Sequence, residues 1–277
     1  MFKRVIARLD IKNNNLVKGI NLEGLRNLGD PKYFALKYYE EGIDEIHYQD
    51  IVASLYDRNS IIEYISYTAK NVFVIISVGG GIRNNNDIDK VLRSGADKIS
   101  MNSAAVKNPE LIKIASNVYG SSTISVNIET IKTSSGYEVL IDSGRQKTGL
   151  DLNKWIEKIQ KLGAGEIIVT SISHEGKKKG FDINLYKMVK KYVSVPLIAH
   201  GGAGDIDHIL ELFQTCEVDG VALASILHYS YLEKNTKLDN QGKNYFINTE
   251  KEMHDDKKIT INKIKKTLKK NGIKVRI

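Results

Sequence analysis

The chain has 277 residues, 42% hydrophobic and 27% charged, with a formal net charge of +8 and one cysteine, Cys216. That length suits one (β/α)8 domain, and the composition is that of a globular protein whose core needs no staples. A lone cysteine excludes an internal disulfide framework and points to a cytoplasmic setting; no run approaches the roughly 18 apolar residues of a membrane span, and Met1-Phe2-Lys3-Arg4 leads into Val5 without a signal-peptide core.

The excess positive charge lies largely in Lys177-Lys178-Lys179 and in residues 263–274. Neither run has interleaved aromatics or a nucleic-acid motif, so both read as solvated faces. A positive field also serves small anionic substrates.

In chain order, β-branched runs and amphipathic segments alternate. Strands are predicted over 5–10, 45–50, 72–78, 98–102, 123–129, 166–171, 197–200 and 220–224. Helices are predicted over 32–41, 60–70, 87–94, 109–118, 152–162, 184–192, 206–213 and 260–270, with a short extra one over 226–231. Asp30-Pro31 and Asn108-Pro109 each place a capping side chain before a proline at the first helical position. Ser134-Ser135-Gly136, between two β-rich runs, reads as a hairpin after the fifth strand. Residues from about 232 to 258 are polar without an apolar period and read as a long inserted loop.

An internal repeat organises these units. Asp97 follows Gly79 by 18 residues and Ser103 follows Asp97 by 6; Asp219 follows Gly201 by 18 and Ser225 follows Asp219 by 6. Gly42-Ile43-Asp44-Glu45 is echoed by Gly163-Ala164-Gly165-Glu166, and Asp10, ending strand one, by Glu129, ending strand five. The expected fold is one (β/α)8 TIM barrel over 1–277, built from two half-barrel repeats. An open doubly wound sheet does not predict that twofold pattern.

The repeat also locates the chemistry. Glycine turns Gly79-Gly80-Gly81 and Gly201-Gly202-Ala203-Gly204 let backbone N–H groups approach an oxyanion, and each is followed one strand later by a hydroxyl, Ser103 or Ser225. Two phosphate sites on opposite sides of the barrel mouth follow, with Asp10 and Glu129 facing each other between them as general acid and base. Lys18 lies in what reads as a loop after strand one, where spacing alone makes it a solvated lysine. Arg4, Glu45, Lys98 and Glu166 sit at strand starts and can form a charged ring at the opposite face, where charge usually serves stability.

Several segments together resemble the cyclase subunit of imidazole glycerol phosphate synthase: Leu9-Asp10, Leu16-Val17-Lys18-Gly19, Gly29-Asp30-Pro31, Val78-Gly79-Gly80-Gly81-Ile82-Arg83, Asn102-Ser103-Ala104-Ala105-Val106 and Gly201-Gly202-Ala203-Gly204. The resemblance implies a histidine-pathway lyase. It would use ammonia to turn a bisphosphorylated ribulosyl aminoimidazole carboxamide into imidazole glycerol phosphate and aminoimidazole carboxamide ribotide. It implies Asp10 and Glu129 as the catalytic pair and Lys18 in a closing loop. Gly80, Gly81, Asn102, Ser103, Thr170, Gly176, Gly202, Ala203, Gly204 and Ser225 would bind substrate or phosphate. Arg4, Glu45, Lys98 and Glu166 would gate an ammonia tunnel, a glutaminase subunit would dock on the N-terminal face, and no metal or cofactor is expected.

Four mouth residues depart from the family pattern: Glu129 for aspartate, Arg8 for cysteine, His200 for serine and Glu175 for aspartate. These changes leave open a paralogue that delivers ammonia to another phosphorylated acceptor, such as a nucleotide sugar. The sister isomerase and a non-catalytic glutaminase activator are further readings.

Overall fold

The computed structural model describes residues 2–52, 61–232 and 258–277. The polar insertion expected at about 232–258 lies almost entirely outside them. Strand β1 (Arg4–Lys12) runs into a hairpin of β2 (Asn15–Ile20) and β3 (Glu23–Gly29); β4 (Glu45–Asp50), β5 (Ile75–Gly79) and β6 (Lys98–Met101) follow. The second half repeats the plan with β7 (Ile124–Thr133), an antiparallel extension of β8 (Gly136–Ile141) and β9 (Gln146–Asp151), then β10 (Glu166–Ser171), β11 (Leu197–His200) and β12 (Gly220–Leu223).

Strands β1, β4, β5, β6, β7, β10, β11 and β12 pair in parallel in that order, and β12 pairs back to β1. The sheet therefore closes into a (β/α)8 barrel. Alternation along β1 sorts its residues. Val5, Ala7, Leu9 and Ile11 join the main core beneath the helices, whereas Ile6 packs inside the barrel with Ile168, Ile198 and Ala222. Arg4, Arg8 and Asp10 share the inward face with Ile6.

The differences from the sequence reading have local causes. The strand expected at 72–78 starts at Ile75, because the Val72 amide still donates to the Thr68 carbonyl (2.8 Å) and closes the helix Ile61–Asn71. The expected loop around Lys18 is the β2–β3 hairpin. Its entry turn places Asn13 and Asn14 at φ 47° and 65°, and its tip places Asn21 and Leu22 at φ 50° and 66°. Two successive positive φ values mark hairpin turns of the mirror-image kind, and asparagine tolerates them well. Asp30 caps its helix through the Lys32 amide (2.9 Å) as expected. Asn108 does not: Pro109 is already helical, and it is the Asn108 carbonyl that accepts from Leu111 (3.1 Å).

The C-terminal helix Ile261–Lys270 is tied to the start of β4 by buried Lys265, whose Nζ donates to the Gly42 carbonyl (2.5 Å) and to Asp44 Oδ1 (2.6 Å). Asp44 also accepts from the Val5 amide (2.8 Å), which joins the helix to β1. Removing one partner of a buried pair strands the other's charge. Lys265→Ala is expected to lower the unfolding free energy by about 3 kcal/mol in urea titrations; a loss within experimental error would refute this anchoring role.

Candidate active site

The C-terminal ends of the barrel strands bring two acids to one cavity. Asp10 and Glu129 both line a space of about 220 Å³ beneath the two hairpins, together with Arg8, Lys18, Gln49 and Arg145. Glu129, Gln49 and Ser143 also line an adjoining cavity of about 350 Å³ that reaches Gly80, Gly81, Asn102 and Ser103. The mouth is thus continuous from the facing acids to the first glycine turn.

The two acids are held in opposite states. Asp10 is buried, which alone would raise its pKa, but Arg8 Nε donates to its Oδ1 (2.9 Å) and Lys18 Nζ to its Oδ2 (3.1 Å). The two cations prevail and hold the carboxyl well below the usual carboxylate range. Burial pushes Glu129 up to about 7, despite the opposing field of Arg8 and the Gly144 amide. Glu129 Oε2 is buried with no hydrogen-bond partner among the described residues. One acid is thus held as a carboxylate, and the other is shifted toward keeping its proton.

Lys18 is neither solvated nor on a loop. It lies on β2, 2% exposed, and bridges Asp10 to buried Glu175. Glu175 also accepts from the Leu22 amide (3.2 Å), and its carbonyl accepts from the Asn21 amide (3.0 Å), so the loop after β10 grips the hairpin tip. This grip was not legible in the sequence, although Glu175 stood out as a mouth acid and Asn13-Asn14 was an available turn signal.

The two phosphate candidates differ. At the first, Gly80 has φ 90°, and a Cβ there would collide with the Asp50 carbonyl. Ser103 begins the short helix Ser103–Lys107, and its hydroxyl accepts from the Asp142 amide (2.9 Å). At the second, Gly176, Gly202, Ala203 and Ser225 surround a space of only about 20 Å³, into which Glu175 and His200 also reach. Gly202 has φ 117°, and a Cβ would strike the Gly180 carbonyl. Thr170 is buried below the mouth, with its hydroxyl near Asn127 Oδ1 (3.3 Å) and His200 Nδ1 (3.1 Å). Gly204 points its amide at His208 Nδ1 (3.2 Å).

At the other end, Arg4, Glu45, Lys98 and Glu166 form an alternating ring. Arg4 pairs with Glu45 (2.7 Å) and with Glu166; Lys98 pairs with Glu166 (3.1 Å) and Glu45 (3.5 Å). Among the described residues, no group of three or more His, Cys, Asp or Glu could hold a metal ion, and no helix is long and apolar enough to cross a membrane.

Comparison with known proteins bears on the same residues. The family model described as "Histidine biosynthesis protein" matches residues 4–233. Subunit HisF of imidazole glycerol phosphate synthase from Legionella pneumophila is 50% identical over 205 residues, covering 74% of this chain and 97% of that protein. The subunits of that name from Natranaerobius thermophilus and Lactococcus lactis are 44% and 46% identical, each over 82% of this chain and over 90% and 88% of their own lengths. These relatives favour the synthase over the nucleotide-sugar and isomerase readings. With its closed, internally doubled barrel and a pair of acids at the mouth, the chain belongs to the histidine biosynthesis family, among the HisF-type cyclase subunits of imidazole glycerol phosphate synthase.

Proposed function

We propose that this chain uses ammonia to convert a bisphosphorylated ribulosyl aminoimidazole carboxamide into imidazole glycerol phosphate and aminoimidazole carboxamide ribotide, with Asp10 and Glu129 as its acid–base pair. The observation that carries the reading is the opposite displacement of two carboxyl groups lining one cavity. When ammonia adds to a carbonyl carbon, the nitrogen must lose a proton and the oxygen must gain one. A permanent carboxylate suits the first task and a protonated carboxyl the second. The glycine turn at Gly80 and Gly81, with Asn102 and Ser103, serves one phosphate. The turn at Gly202 and Ala203, with Gly176 and Ser225, serves the other, and the approaching phosphate competes with Glu175 for Lys18. Thr170 and Gly204 support that second turn.

Ammonia is supplied by a glutaminase docked on the N-terminal face, and Arg4, Glu45, Lys98 and Glu166 gate its entry. Two exposed aromatics just before strand starts favour this face: Phe2 is 55% exposed before β1 and Phe73 is 78% exposed before β5. Exposed aromatics beside a charged cluster are typical anchors of a protein interface. The setting is the cytoplasm, where such a pathway operates, and the chain acts as one barrel domain over 1–277.

The direct test supplies ammonium salt and the bisphosphorylated substrate to the purified chain and follows imidazole glycerol phosphate; absence of product rejects the assignment. Asp10→Asn is expected to cut kcat by roughly a hundredfold or more, and full activity in that variant would remove Asp10 from the mechanism. Glu129 gives a pH test. Its folded pKa, about 7, stands above the unfolded value of about 4.3, so the stability it contributes is complete below the unfolded value and lost as pH rises through the folded one. Glu129→Gln therefore gains stability relative to the unsubstituted chain between those pH values, and turnover by the unsubstituted chain declines above about 7. Parallel urea titrations and rate profiles that lack both trends would overturn the protonated-acid role. For the docking face, Phe73→Glu should weaken glutaminase binding by roughly thirtyfold and leave ammonium-driven turnover unchanged. Unchanged affinity in a titration would move the interface elsewhere.

A further inference from the structure

Above the charged ring, the barrel wall holds polar side chains that the acid–base pair does not use. Glu45 Oε1 accepts from Ser77 Oγ (2.7 Å), Ser77 Oγ meets His47 Nδ1 (2.9 Å), and His47 Nε2 meets the Gln49 side chain at Oε1 (3.3 Å). The adjacent strands make this chain continuous: Glu45, His47 and Gln49 are successive inward residues of β4, and Ser77 is the register partner of His47 on β5. Its lower end belongs to the ring. Its upper end, Gln49, lines both mouth cavities.

His47 is 1% exposed. Arg8 is its register partner on β1; Asp10 on the same strand, and Glu166 and His200 on β10 and β11 of the same barrel, act on it or are acted on by it. Burial and then Arg8 lower its pKa to about 4, so the imidazole is neutral and carries one N–H. Which nitrogen carries it depends on the hydrogen bond at the other.

We propose that Glu45, Ser77, His47 and Gln49 form a hydrogen-bond switch through which the charged ring sets whether the mouth meets an amide donor or an amide acceptor. The inference rests on the ammonia-using role proposed above. With Glu45 ionised, the Ser77 hydroxyl donates to it, His47 Nδ1–H donates to Ser77, and bare Nε2 accepts from the Gln49 amide. The Gln49 carbonyl then faces the cavity. With Glu45 protonated, every donor reverses. The carboxyl donates to Ser77, Ser77 donates to Nδ1, Nε2–H donates to Gln49 Oε1, and the Gln49 NH2 group faces the cavity. The Ser77 hydroxyl donating to Glu45 matches the first state, and the Gln49 Oε1 atom nearest His47 Nε2 matches the second, so contacts of both states meet at His47.

The two states differ by one proton. In passing from the protonated to the ionised state, the Glu45 O–H bond breaks, a proton moves through Ser77 to form Nδ1–H, and the Nε2 proton leaves to water in the mouth. His47 and Gln49 are therefore positioning residues. A positively charged amine arriving at the ring favours ionised Glu45 and, through the chain, an acceptor at the mouth.

Nitrogen-15 NMR of the histidine rings in the full chain tests the switch. In the unsubstituted protein, His47 should pass from the Nε2–H to the Nδ1–H form as pH rises through the titration of Glu45, with the pyrrole-type and pyridine-type shifts changing places. In Glu45→Gln, Arg4 and Lys98 hold the amide oxygen and leave its NH2 group toward Ser77. His47 should then stay Nε2–H at every pH at which the ring is neutral. Ser77→Ala keeps the ring charges and should uncouple His47 from pH, which covers the case of a poorly folded Glu45→Gln. A His47 tautomer that is independent of pH in the unsubstituted chain, or the same pH response in Ser77→Ala, overturns the switch. Turnover with ammonium salt separates the two claims. Coupling without turnover supports the switch and counts against the cyclase reading, whereas turnover without coupling overturns the switch alone.

Discussion

A closed barrel turns alternate residues of every strand into a dry interior, where a charge survives only with compensation. Arg8 is the severest case, 1% exposed and below the mouth. A guanidinium does not shed its proton in a protein, so its charge is fixed and the neighbouring groups adjust to it. Asp10 stays ionised against burial because Arg8 and Lys18 bind it. His200 stays neutral, since burial and then Arg8 both oppose its protonation. Glu129, in the same field but without such close ion pairs, holds its proton to about pH 7. The opposite states of the two acids follow from how closely each meets the buried cations: Asp10 is bound by two, and Glu129 is governed first by burial.

Duplication placed the parts, and the halves then diverged. Each half sends an antiparallel excursion over the mouth, β2–β3 from the first and β8–β9 from the second, and each carries a glycine turn that a Cβ would block. The first turn opens on the larger cavity. The second is crowded by Glu175, whose carboxylate takes Lys18 while also gripping the hairpin tip. One carboxylate therefore occupies Lys18 and holds the hairpin tip at the same time.

The barrel was legible because its signals are local and repeated. Glu45–Asp50, Glu166–Ser171 and Leu197–His200 have the bounds that β-branched runs predict, and the spacing from Gly79 to Asp97 and from Gly201 to Asp219 exposed the doubling. Asp97 and Asp219 accept from the Ile76 and Leu197 amides, so the repeated spacing reflects a repeated strand-end contact. Other features were not legible. Lys18 reads as a surface lysine because its partners lie 8 and 157 residues away. His47 sits in a run that announces a strand and nothing else, and its role depends on Ser77 from the next strand. Long-range pairings of polar residues leave no periodic trace.

The departures from the family pattern also acquire a physical meaning only in three dimensions. Arg8 lies 3.5 Å from His200, and its charge acts on both Glu129 and Glu175. The four changes therefore form one cluster and not four independent ones. Glu129 and Glu175 stand in the field of this buried cation with carboxylates longer than the aspartates of the family pattern, each by roughly one C–C bond, about 1.5 Å. An imidazole at 200 accepts neutrality beside that cation, sharing its Nδ1 with Arg8 and Thr170. Residues joined in one network are not additive when changed singly. Changing Arg8 to cysteine alone would remove an ion-pair partner of Asp10 and a charge that acts on Glu129 and Glu175, so its effect depends on which of those residues is changed with it.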